Sequence, residues 1–213
     1  MTEVTKLISG FRVFKSTTFN QKKEVIKHLL IQGQKPSTMV ISCVDIRISP
    51  AEIFATNPGE LYVINNIGGI VPKFDTKGIH GILAAIEYAV KEIQVQNIIV
   101  LGHAKCDSIK MMMSEKTSES HGNLSESMKI WLSIAAEARD AVRAQLADKT
   151  EEEQQKACEQ ESLVISMRNL MTYPYILERM KQRKLNIFGW HFDIENAEIT
   201  AFDPNTRFFE PIA

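Results

Sequence analysis

Met39-Val40-Ile41-Ser42-Cys43-Val44-Asp45-Ile46-Arg47 is the stretch whose reading decides the fold. Its first five residues are apolar or small and rich in β-branched side chains. Pro36-Ser37 precedes them, so the run reads as a buried strand. A thiol, a carboxylate and a guanidinium then stand at alternate positions, Cys43, Asp45 and Arg47. Alternate residues of an extended chain point to one side, which lets the three converge at the strand's carboxyl end. Parallel α/β sheets carry their sites there. A second apolar run, Asn97-Ile98-Ile99-Val100-Leu101, repeats the arrangement and ends in Gly102-His103-Ala104-Lys105-Cys106. Two thiols and one imidazole delivered by two strand ends make the ligand set of a catalytic zinc with one position open.

The bulk numbers narrow the class. A chain of 213 residues with 44% apolar and 24% charged residues suits one soluble α/β domain spanning 1–213. A net charge of −1 leaves no footprint for a nucleic acid. No apolar run approaches a membrane span. The first thirty residues lack the continuous apolar core of a secretory signal, so the expected location is cytoplasmic. Three cysteines make no disulfide framework and point to free, catalytic or metal-bound thiols.

Around the two motifs the chain alternates. Residues 1–35 read as a charged helical arm, with Val25-Ile26 and Leu29-Leu30 at helical spacing and Gly33 as the stop. Such an arm packs on its own domain or embraces a neighbour. Ser49-Pro50-Ala51-Glu52 has helix-start chemistry, with serine at the cap and proline at the first position. Residues 61–65 read as a second strand, 70–78 as a loop, 79–93 as an apolar helix and 97–101 as the third strand. A helix through Met111-Met112-Met113 follows, with these methionines expected in the core, and 114–127 reads as a polar loop. Two long helical patterns cover 126–147 and 150–183, the second interrupted near Pro174, before final strands at 185–194 and 198–202. Strand, helix, strand, helix, strand implies a central, mostly parallel sheet flanked by helices, with right-handed crossovers.

These residues resemble the β-class carbonic anhydrases. The family's Cys-X-Asp-X-Arg stands as Cys43-Val44-Asp45-Ile46-Arg47, and its Gly-His-X-X-Cys as Gly102-His103-Ala104-Lys105-Cys106. Gln34 lies nine residues before Cys43, and Pro58-Gly59-Glu60-Leu61-Tyr62 and Ile86-Glu87-Tyr88-Ala89-Val90 fall at the family's spacings. Gly189-Trp190-His191-Phe192-Asp193-Ile194 looks like its late strand. The resemblance covers residues 25–203. It implies Zn2+ held by Cys43, His103 and Cys106, and reversible hydration of carbon dioxide to bicarbonate by zinc-bound hydroxide. It implies a catalytic dyad of Asp45 and Arg47, with Asp45 as a fourth zinc ligand in a closed, low-pH state of some members. It also implies substrate contacts from Gln34, Tyr62, Val71 and Tyr88, and a homodimer or homotetramer. Two other readings stay open: a related zinc hydrolase of carbon disulfide or carbonyl sulfide, and a zinc-stabilised scaffold without turnover.

The chain departs from the family in places. Asp107-Ser108 stands where Gly-Gly or Gly-Ala is usual, which adds bulk and charge beside the site. Asn65-Asn66 replaces Arg-Asn. Val40, Asn65 and Phe192 stand where the subgroup with an inhibitory bicarbonate site has tryptophan, arginine and tyrosine, so that site is expected to be absent. Cys158, in a polar helix, reads as a bystander. His80 and His121 read as loop or cap residues before they read as proton relays. Gly68-Gly69 reads as a turn, since no phosphate-loop signature follows.

Overall fold

The computed structural model describes residues 2–77, 81–114 and 124–212. Its centre is strand β1, Thr38–Cys43, buried along its length after Thr38. Alternation explains this burial: Met39 and Ile41 face one layer, Val40 the other, and all three are fully covered. Strand β2, Leu61–Asn66, and strand β3, Asn97–His103, flank β1 in parallel. Strand β4, Asn186–Asp193, lies parallel to β3, with Gly102 opposite His191 and His103 opposite Phe192.

The six-stranded order is β2-β1-β3-β4-β5-β6. Strands β5, Glu198–Phe202, and β6, Phe209–Pro211, add to the edge in antiparallel fashion. The sheet is therefore mixed, parallel only in β2, β1, β3 and β4, of which β1 and β3 carry the motifs. The three-residue β6 is too short to show a pattern in the sequence.

Short helix α3, Pro50–Ile53, starts on proline as expected, but the Ser49 side chain makes no cap bond. Helix α4, Gly81–Glu87, runs into a π-helical turn over Tyr88–Ile93 that stops at Gln94 in the left-handed region. Leu83, Ile86, Ala89 and Val90 of this segment cover Met39, Ile41, Ile98 and Val100 of the sheet. Helix α5, Asp107–Ser114, begins immediately after the second motif, and Met112 within it is fully buried.

The pattern over 126–147 forms two helices, α6 (Glu126–Ser133) and α7 (Ala136–Gln145). Trp131 of α6 donates through Nε1 to the Ile67 carbonyl at 2.7 Å, which holds the Gly68-Gly69 turn. Helix α8, Glu151–Leu170, opens on a capping box between Thr150 and Glu153, and Pro174 starts helix α9, Pro174–Lys181. Helix α8 is unusual in burying Glu159, Ser162, Ser166 and Asn169 beside Leu163, Ile165 and Leu170.

The amino-terminal arm is a pair of helices, α1 (Glu3–Ser16) and α2 (Thr18–Gln32), broken at Thr17. Neither contains a buried residue. Leu7, Phe11, Leu30 and Ile31 are each more than half exposed. Leu29 packs on Gly59, whose φ of +89° and missing Cβ admit it. No helix of the described residues is long and apolar enough to cross a membrane.

Candidate metal centre

Strand ends β1 and β3 deliver the two motifs side by side. The ligand atoms of Cys43, His103 and Cys106 lie within 4.8 Å of one another, and all three residues are buried. The two sulfurs are 3.9 Å apart. Two thiolates bound tetrahedrally at about 2.3 Å to a zinc ion would stand about 3.8 Å apart, so the sulfurs fit a shared ion. His103 Nδ1 lies 2.9 Å from the Ala104 carbonyl, the contact that fixes a ligating imidazole's tautomer and orientation. Its Nε2 is buried with no hydrogen-bond partner. A buried ring nitrogen left bare is what a metal ligand looks like before the metal is counted. The Cys106 thiol donates to Cys43 and holds the Cys43 pKa well below the usual thiol range, while Cys106 is pushed up.

Asp45 and Arg47 meet as the alternation implies. Asp45 Oδ1 accepts from the Arg47 main-chain N–H and from its Nε, both at 2.9 Å. Asp45 Oδ2 accepts from Nη2 at 2.6 Å. This bidentate pairing by Arg47 holds the carboxyl at about 2. The same Oδ2 lies 3.8 Å from His103 Nε2, which puts the carboxylate beside the metal position. Arg47 Nη2 also donates to the Lys105 carbonyl at 2.9 Å. Lys105 adopts φ of +55°, in the turn between His103 at the end of β3 and Cys106.

The other sequence candidates are spread more widely. Gln34 is exposed in the link between α2 and β1. Val71 is fully buried in the core; its N–H donates to Ser166 Oγ and its carbonyl accepts from Asn169. Tyr62 is half-buried on β2, with its ring 6.2 Å from that of the half-exposed Tyr88. Asp107 does not crowd the centre. Its side chain is 79% exposed in the first turn of α5, 3.9 Å from Arg47. Cys158 is fully buried, and burial pushes its thiol up to about 12, in keeping with an inert bystander. His80 and His121 lie outside the described residues, as do residues 115–123 of the expected loop.

Sequence reasoning missed a second layer on α8 and β4. Glu159 Oε1 accepts from the Cys106 N–H at 2.9 Å, and Glu159 Oε2 lies 3.0 Å from His191 Nε2. Gln155 Nε2 donates to Glu159 at 3.0 Å. A glutamate within a polar helix carries no periodic signal, so nothing in the chain marked it.

Comparison with known proteins agrees with this geometry. A family model described as carbonic anhydrase matches residues 38–199. Beta carbonic anhydrase 3 of Arabidopsis thaliana is 33% identical over 190 residues, which span 89% of this chain and 73% of that protein. The solved β-carbonic anhydrase CcaA superposes with a TM-score of 0.89 at 28% identity, over 99% of this chain and 100% of that one. A structure from work on two tetrameric β-carbonic anhydrases of the filamentous ascomycete Sordaria macrospora gives a TM-score of 0.81 at 25% identity, over 99% and 98%. The chain belongs to the β-class carbonic anhydrases, lyase-type enzymes.

Proposed function

We propose that the chain converts carbon dioxide and water reversibly to bicarbonate and a proton, with zinc held by Cys43, His103 and Cys106. The observation that carries this reading is the bare, buried Nε2 of His103 among two thiols, with the Arg47-locked Asp45 beside it. Zinc bound there supplies Lewis acidity that brings water's pKa toward about 7, less strongly with two thiolates than with three neutral imidazoles.

The protein's own groups do the positioning. Asp45 accepts a hydrogen bond from the attacking water and turns its lone pair toward the carbon. Held near 2, its carboxyl stays ionised and orients without storing the proton, which passes to buffer. Arg47 keeps Asp45 aimed. Tyr62 and Tyr88 offer carbon dioxide an apolar side, backed by Val71 in the core cluster on which Tyr62 packs. Gln34 donates to a substrate oxygen from across a subunit boundary, in a homodimer or a pair of dimers. The exposed apolar surface of α1 and α2 supports such an assembly.

Stopped-flow carbon dioxide hydration on protein of known zinc content, beside Cys106→Ser, tests the reading. Hydration that tracks zinc and vanishes in the variant is the expected result. No hydration at neutral or mildly alkaline pH, with one zinc per chain, would overturn it.

A further inference from the structure

The peptide unit joining Lys105 to Cys106 is gripped at both ends. Its carbonyl accepts from Arg47 Nη2 at 2.9 Å, and its N–H donates to Glu159 Oε1 at 2.9 Å. The plane of this peptide sets where the Cys106 side chain leaves the main chain. It follows a residue in the left-handed region, so local preference alone does not hold it there. Glu159 is in turn held from behind. His191 Nε2, on β4, lies 3.0 Å from Glu159 Oε2, and both side chains are 3% exposed. Gln155, one helical turn earlier, donates to Glu159 Oε1 and, at 3.4 Å, to the Cys106 carbonyl.

A buried carboxylate and imidazole inside a helix–sheet contact are costly to keep, because apolar residues of similar volume stabilise such a contact as well or better. Their placement has to be explained by what they hold. We propose that Glu159 and His191 are a positioning pair: they lock the Lys105–Cys106 peptide plane against Arg47 and so fix the Cys106 thiolate at the metal centre. One and the same peptide then couples the Asp45–Arg47 dyad to the ligand set. This inference rests on the metal reading above.

The test uses the full chain, stripped of metal and titrated with cobalt(II), whose thiolate-to-metal absorption reports the sulfur geometry directly. Wild type should take up one cobalt per chain with that absorption. Glu159→Ala and His191→Phe should weaken metal binding on the order of 10- to 100-fold and shift the absorption band, as losses of such supporting partners do. Glu159→Gln should stay within about threefold of wild type, because its amide oxygen still accepts from the Cys106 N–H and its amide nitrogen can donate to His191.

A pair that merely glues α8 to β4 would lower the melting temperature of the variants and leave cobalt affinity and spectrum unchanged, and that outcome overturns the proposal. Glu159→Gln as impaired as Glu159→Ala would also overturn it, since charge and not position would then be what matters. If Glu159→Ala does not fold, Glu159→Gln and His191→Phe decide alone. A wild-type chain that takes up no metal would defeat the metal reading itself, whereas intact metal binding in every variant defeats only the positioning pair.

Discussion

The guanidinium of Arg47 reaches the Lys105 carbonyl at 2.9 Å while the same nitrogen sits 2.6 Å from Asp45 Oδ2. The loop after β1 and the loop after β3 are thereby one unit. A lysine offers a point charge in place of a planar fork and cannot make both bonds in this geometry. Arg47→Lys is expected to lower kcat by about 100-fold, the scale of a small misplacement of a group that orients the reactants. Steady-state hydration kinetics on zinc-replete protein check this. Unchanged turnover would show that Asp45 needs no fork.

Acid stability should carry the mark of Asp45. Its folded pKa of about 2 lies below the ordinary value of an aspartate. A depressed carboxyl contributes stability that is fully present above its unfolded pKa and is lost as pH falls through its folded pKa. Metal-free protein should therefore lose stability between about pH 4 and about pH 2, and Asp45→Asn should lack that component. Chemical denaturation across this window measures it.

Asp45 is ionised throughout the neutral range, so its own protonation cannot shut the enzyme there. A fall in hydration on going from alkaline to neutral pH would come either from a zinc-bound water regaining its proton or from Asp45 leaving Arg47 for the metal. A flat profile between about pH 6.5 and about pH 9 would exclude that movement.

Metal removal should abolish activity and spare the fold. Cys43 and His103 are placed by β1 and β3, whose apolar residues are fully covered, and the strands do not wait for an ion to form. The contrast is with small metal domains that unfold when chelated. Chelated protein should keep its far-ultraviolet circular dichroism, melt at a lower temperature and recover hydration on zinc addition.

Gly59→Ala should destabilise the junction between arm and body by about 1 to 3 kcal/mol. The new Cβ would meet Leu29 Cδ2 at 2.6 Å, and φ of +89° strains any residue with a side chain. Leu29→Ala in the same background should relieve the clash and not the strain, so urea denaturation of the double variant should recover part of the loss.

What could be read from the chain was whatever burial writes as a pattern. The apolar runs at 39–43 and 97–101 announced β1 and β3, and alternation after Cys43 announced the Asp45–Arg47 pairing. Pro174 announced the break between α8 and α9 because proline lacks the N–H a helix needs. The breaks at Thr17 and at Ile134–Ala135 involve neither glycine nor proline, so they carried no mark. The π turn over 88–93 hid inside an ordinary helical period. Glu159 and His191 were hidden for another reason. Periodicity reveals apolar faces, and a buried polar pair is legible only once its partners are in space.

The bare surface of α1 and α2 has a thermodynamic corollary. Helices of 14 and 15 residues are marginal in water when nothing covers them. In the assembly proposed above, a second copy of the chain would cover them and supply their order by mass action. Melting temperature should then climb with protein concentration. Dilution should fray the arm first, and with it the segment that carries Gln34, well before the sheet gives way.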